Sequence, residues 1–148
     1  MTMTFQGNKH YLLLAPQSLS SSATATAVLD CRGWGEAQIS VLLGAGAATH
    51  APATLSLAES DTTAQTDFVA ISAFATSNLA AAVLTTSAAT AVGAVLNVDL
   101  RGRKRYLRCS VTPNTSGTGL VSVVAQLSRG KESASSNAEA GVNAMVNG

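Results

Sequence analysis

Apolar and polar residues alternate along most of this chain, and a two-residue period predicts strands with one buried face. Over 24–30, Ala25, Ala27 and Leu29 share one face and Thr24, Thr26 and Val28 the other. Arg32, Gly33, Trp34 and Gly35 supply a turn, after which Ala37, Ile39, Val41 and Leu43 face inward while Glu36, Gln38 and Ser40 face outward. Gly44-Ala45-Gly46 breaks that strand, and a loop of small residues runs to Pro52. Ala53, Leu55 and Leu57 alternate with Thr54 and Ser56 in the next strand. Ser60-Asp61-Thr62-Thr63 is a turn, because Ser and Asp side chains bond back to nearby amides. Residues 68–74 predict a further short extended piece.

The Ala-rich stretch 75–90 has no single reading, since alanine favours helix while its threonines and serines favour strand or loop. Alternation returns with Ala94, Leu96, Val98 and Leu100 inward, then a basic turn of Arg101, Gly102, Arg103 and Lys104. Leu107, Cys109 and Val111 form the inner face of the next strand. Residues 113–117 make a turn, and Val121, Val123, Ala125 and Leu127 close the pattern. About seven short strands separated by Gly, Pro and Ser turns, with no strand–helix–strand alternation, predict an all-β fold: an antiparallel β-sandwich, jelly-roll-like, over 23–130. Its expected core includes Leu55, Leu57, Val98, Leu107, Val111 and Val123. Residues 1–22 lie outside the alternation as an N-terminal arm with one sticky patch, Tyr11, Leu12, Leu13 and Leu14, and residues 131–148 form a C-terminal tail.

A chain of 148 residues suffices for one such core, burying roughly 70% of its unfolded surface without a staple. Alanine, serine and threonine number 27, 17 and 16, and only 11% of residues are charged. Small uncharged surfaces with little mutual repulsion suit packing against other subunits better than a solitary life. A net charge of +1 removes the counterion-release term that non-specific nucleic-acid binding needs. The uncharged stretch between Asp67 and Asp99 is rich in Ala and Thr, a poor composition for a membrane span. A bridge between Cys31 and Cys109 across a sandwich is conceivable, but two buried free thiols are the favoured reading. No apolar run near the start has the length of a secretory signal, so the expected compartment of synthesis is a reducing cytoplasm.

No motif for chemistry stands out. His10 and His50 have no partner at metal-ligand spacing, and there is no CxxC or HExxH. Ser116 lacks the glycine of a nucleophile elbow. Asp61 to Asp67 bears only a superficial likeness to a calcium loop, since Thr66 stands where glycine is needed and the glutamate at position twelve is missing; a hairpin turn is the favoured reading. Asn114-Thr115-Ser116 fits a glycosylation sequon that has no meaning without secretion. The expectation is therefore a non-enzymatic protein with no cofactor and no metal. The one charge feature is basic: Arg101, Arg103, Lys104, Arg105 and Arg108 place five of the nine cations within eight positions. They either shield a sheet edge or form a docking patch for an acidic partner.

Three segments in order carry a family resemblance: 29–34 running into 39–43; Leu55–Asp61 with Asp67–Ile71; and Arg105–Thr112 followed by 121–127. Together they resemble small structural proteins of tailed bacteriophages, with departures in the Ala/Thr middle and the tail. The resemblance implies a virion β-sandwich on the capsid surface, made in the host cytoplasm and most plausibly a capsid decoration (cement) protein. Its implied partners are the major capsid protein and further copies of itself, a trimer being favoured over a dimer because such proteins occupy threefold positions; neither nucleic acid nor membrane is expected. Tyr11, Leu12, Leu13 and Leu14 of the arm and Arg101, Arg103, Lys104 and Arg105 of the basic turn are the expected partner contacts, with the arm removable without unfolding 23–130. The alternatives are a tail or head–tail connector protein and a sandwich-type module for host-surface glycans. With only 4% aromatic residues to stack on sugars, the glycan reading ranks below the other two.

Overall fold

The computed structural model describes residues 7–20, 23–44, 54–83, 92–112 and 119–129. Eight strands follow one another: β1 (Lys9–Leu19), β2 (Ala25–Asp30), β3 (Glu36–Leu43), β4 (Thr54–Ser60), β5 (Val69–Ala70), β6 (Val92–Asp99), β7 (Tyr106–Thr112) and β8 (Gly119–Ser128). Among the described residues one α-helix, α1 (Thr76–Val83), stands between β5 and β6.

Pairing is nested and antiparallel. β1 pairs with β8, β2 with β7, β3 with β6 and β4 with β5, as in one long hairpin. The hairpin then rolls up, and β3 pairs additionally with β8 and β4 with β7. The result is two four-stranded sheets, β1-β8-β3-β6 and β2-β7-β4-β5. This is the double-sheet wrapping of a jelly roll, the all-β sandwich that the alternation predicts.

The alternation places the core as expected. Ile39 and Val41 of β3, Leu55 and Leu57 of β4, Leu107 and Val111 of β7, and Val123 and Leu127 of β8 lose essentially all contact with solvent, and Leu96 and Val98 of β6 are buried beside them. The turns form for local reasons. Gly33 and Gly102 take positive φ, 85° and 78°, which a side chain would resist. The Thr62 amide donates to the Ser60 hydroxyl at 3.0 Å and closes the turn after β4. Cys31 and Cys109 are free thiols, both buried, and burial pushes each up to about 12.

Three expectations need correction. Residues 9–19 are not an arm; they are β1, an edge strand of the first sheet, with Leu19 buried and Tyr11, Leu13 and Leu14 packed against the core. The register slips between Leu12 and Leu14 and again before Gln17, around Pro16. A bulge inserts one residue and breaks the two-residue period, so Tyr11 and Leu14 both face inward although their spacing says otherwise. The extended piece expected over 68–74 shrinks to Val69–Ala70, flanked by 3-10 turns at Gln65–Asp67 and Ser72–Phe74. The ambiguous Ala-rich segment opens as a helix. The Thr76 hydroxyl donates to the Leu55 carbonyl at 3.2 Å, the Asn78 side-chain amide to the Ser72 carbonyl at 2.6 Å, and Leu79 enters the core. Ala53, residues 84–91, the turn at 113–117 and the tail 131–148 lie outside the described residues.

Two outcomes follow. Leu107→Ala empties a fully buried site between the sheets and costs about 2–5 kcal/mol, read from urea denaturation midpoints at unchanged slope. Deleting residues 1–20 strips β1 from β8 and exposes the inner face beneath it. The truncated chain then loses cooperative melting, where a dispensable arm would leave the melting curve intact.

Candidate functional site

The outer face of the β1-β8-β3-β6 sheet is where the molecule offers most to another surface. Strand registers stack its outward side chains in rows. Leu12, Val124, Ser40 and Val95 make one row; His10, Gln126, Gln38 and Asn97 make the next; Ser128, Glu36 and Asp99 end that side. In the opposite direction Ser122, Leu42 and Gly93 form a row, and Leu120 lies beyond it beside Gly44.

The face divides in two. Among the described residues five large apolar side chains are exposed, and four of them, Leu12, Leu42, Val95 and Leu120 at 50–61%, sit on this one surface. Val124 and Ser40 lie between Leu12 and Val95 in their row. Leu42 reaches over Gly93, where a Cβ would meet its Cδ2 at 3.5 Å, and Leu120 lies so close to Gly44 that a Cβ there would come within 2.8 Å of the Leu120 Cβ. A clustered apolar patch differs in meaning from scattered exposed residues, since its desolvation is available to a partner all at once.

The other half is polar. A shallow depression of about 470 Å³ is lined by Glu36, Gln38, Asn97, Asp99, Gln126 and Ser128 with Ala37 and Val98. The Gln38 side-chain amide donates to Asn97 Oδ1 at 3.1 Å, and the Ser128 hydroxyl to Glu36 Oε2 at 3.3 Å. Both carboxylates are held by cations of their own chain: Glu36 by Arg129 at 3.0 Å and Asp99 by Arg101 at 2.7 Å. The Arg101 guanidinium and backbone amide together lower the Asp99 carboxyl to about 2. No group of three or more His, Cys, Asp or Glu side chains among the described residues is placed to hold a metal ion.

The basic turn is largely engaged within the chain. Besides the Arg101–Asp99 pair, Arg105 forks onto Asp30, Nε to Oδ1 at 3.0 Å and Nη2 to Oδ2 at 2.7 Å, and Arg103 lies 3.5 Å from Glu59. Arg108 stacks on Phe68 and donates to Gln65, so it is anchored to the wall of the second sheet. The exposed Lys104 gives its backbone amide to Glu59. These guanidiniums tie turns together; they do not stand as a row of open forks. Of the four arm residues expected at a partner, Leu12 alone points out onto the patch, while Tyr11, Leu13 and Leu14 pack against the core. Leu42, Val95 and Leu120 escape a sequence reading because an outward residue on a strand is assumed polar, and only the sheet order brings three strands' exceptions together.

No protein-family model matches this chain, and no curated protein matches it in sequence. Solved structures do match. One is the structure of infectious bursal disease virus Gx strain, at 9% identity and a TM-score of 0.51 over 84% of this chain and 33% of that one. BuGH86 in complex with neoagarooctaose is similar at 13% identity and a TM-score of 0.47, over 81% of this chain and 18% of that one. PRD1 vertex protein P5 is similar at 12% identity and a TM-score of 0.38, over 82% and 94%. The chain thus spans a third or less of the first two. At 9% identity the likeness to the viral structure is one of fold alone.

The Arg105–Asp30 fork sets an acid response. The hydrogen bond from Arg105 holds the Asp30 carboxyl below its ordinary 3.8, so its contribution is present above that pH and is lost as pH falls through the depressed value. Arg105→Gln lowers stability at pH 7 only slightly, as expected for an exposed pair. The gap to the wild type closes at low pH in paired denaturation curves.

Proposed function

We propose that this protein is a non-enzymatic structural component of a phage virion, a capsid decoration protein that seats the outer face of its β1-β8-β3-β6 sheet on the major capsid protein. The observation that carries the reading is the apolar patch of Leu12, Leu42, Val95 and Leu120, four of the five large apolar side chains exposed among the described residues, all on one face. The jelly-roll wrapping serves as a capsid building block and also as a lectin fold, so the fold alone does not choose. The site does. Among the residues lining the polar depression there is no aromatic ring on which a sugar could stack, whereas the apolar patch offers area to a protein surface.

Contacts of this kind are individually modest. Repetition over a shell supplies the strength, since each bound copy that also touches its neighbours gains effective concentration. The few rim charges, Arg101 and Arg129 among them, set docking register more than affinity.

The test is localisation followed by disruption. Antibody labelling of virions made by the genome that carries this chain places it on the shell. The double variant Leu42→Lys with Leu120→Lys leaves far-ultraviolet circular dichroism and melting unchanged but detaches the protein from particles in a sedimentation assay. Label on the tail, or a double variant that decorates as well as the wild type, overturns the reading.

A further inference from the structure

The first sheet ends in two edges of different character. β1 is irregular, with two register shifts, Pro16, which lacks a donor, and Lys9 at its start. These are devices that keep an edge from pairing with another chain. β6 has none of them. It runs in unbroken register with β3 from Val92 to Asp99, its single charge, Asp99, is at one end, and that charge is already held by Arg101. Among the described residues no strand pairs with its other side.

Backbone parity tells which groups face outward along that edge. The Leu100 amide donates to the Gly35 carbonyl at 2.9 Å, and the Gly44 amide to the Leu120 carbonyl at 2.9 Å. In an antiparallel ladder every second residue bonds to the same neighbour. The even-numbered residues of β3 therefore serve β8 and the odd ones serve β6, and on β6 the even-numbered residues bond to β3. Gly93, Val95, Asn97 and Asp99 turn their N–H and C=O groups to the free edge.

We infer that β6 is the seat of a two-fold dimer, in which the β6 strands of two copies pair antiparallel about Leu96 and join their sheets into one of eight strands. The edge is self-complementary. With the axis at Leu96, Gly93 faces Asp99 of the second copy and Val95 faces Asn97, so all four outward residues of each strand donate and accept. The two Asp99 residues fall about 20 Å apart at opposite ends, so no charge opposes its like. A β6 strand from a second copy matches this edge in length, polarity and charge, and a two-fold interface is the commonest closed arrangement of identical chains. Val95 then continues the apolar patch across the seam into the second copy. The inference goes beyond the decoration reading and is independent of it, because it concerns the isolated protein.

The experiment uses the full chain. Sedimentation at high micromolar concentration gives a dimer that dissociates on dilution. Val95→Pro removes an amide that β3 does not use, so the fold survives, with unchanged circular dichroism, while dimerisation weakens by about tenfold or more; Val95→Thr keeps the amide and the dimer. Hydrogen exchange on the wild type supplies a second readout that needs no variant. The amides of Gly93, Val95, Asn97 and Asp99 gain protection as concentration rises, and those of Ala94, Leu96 and Val98 do not. A wild type that stays monomeric overturns the inference, as does a trimer. So does a dimer whose four edge amides exchange at a rate independent of concentration.

Discussion

The pairing of β3 with β8 is the contact on which the rest of this molecule depends. It joins a strand from the first third of the chain to the last strand, in unbroken register from Glu36–Ser128 to Leu43–Val121. Without it the nested hairpin has no reason to roll, and β1 and β6, each attached to one of the two, would lose their shared sheet. The inward side chains along that seam, Ile39, Val41, Val123 and Ala125, are fully or almost fully buried. Contacts this distant in sequence carry a loop-closure cost that only packing against the second sheet repays.

The composition shapes the surface as much as the core. With so few charges, most of the cations near the turns are spent on carboxylates of the same chain, and the pairs Arg105–Asp30, Arg103–Glu59 and Arg129–Glu36 each tie a turn or strand end to a neighbouring segment. Exposed pairs of this kind add little stability. On the outer face of the first sheet the charges, Glu36 and Asp99, stand at one end, and the rows of Leu12, Leu42 and Val95 carry none.

The irregular strand β1 shows what such a surface costs to maintain. Its bulges and proline protect one edge from unwanted pairing and at the same time tuck Tyr11, Leu13 and Leu14 under the sheet. The price is a pattern that no periodic reading recognises. α1 is a similar case: its alanines fit helix, its threonine and serine fit strand or loop, and in the structure it forms a helix with Thr76 anchored to the Leu55 carbonyl.

The sequence by itself determined the all-β class, the bounds of β3, the inward faces of β3, β4, β6, β7 and β8, and the turns at Gly33 and Gly102, because each rests on a local period or a local backbone preference. The tertiary structure alone decided three things: that residues 9–19 belong to the sandwich, that the basic turn is engaged within the chain, and that Leu12, Leu42, Val95 and Leu120 share one face. Each depends on which strands lie side by side. That order is fixed by burial between two sheets and by contacts many tens of residues apart, and no window along the chain contains it.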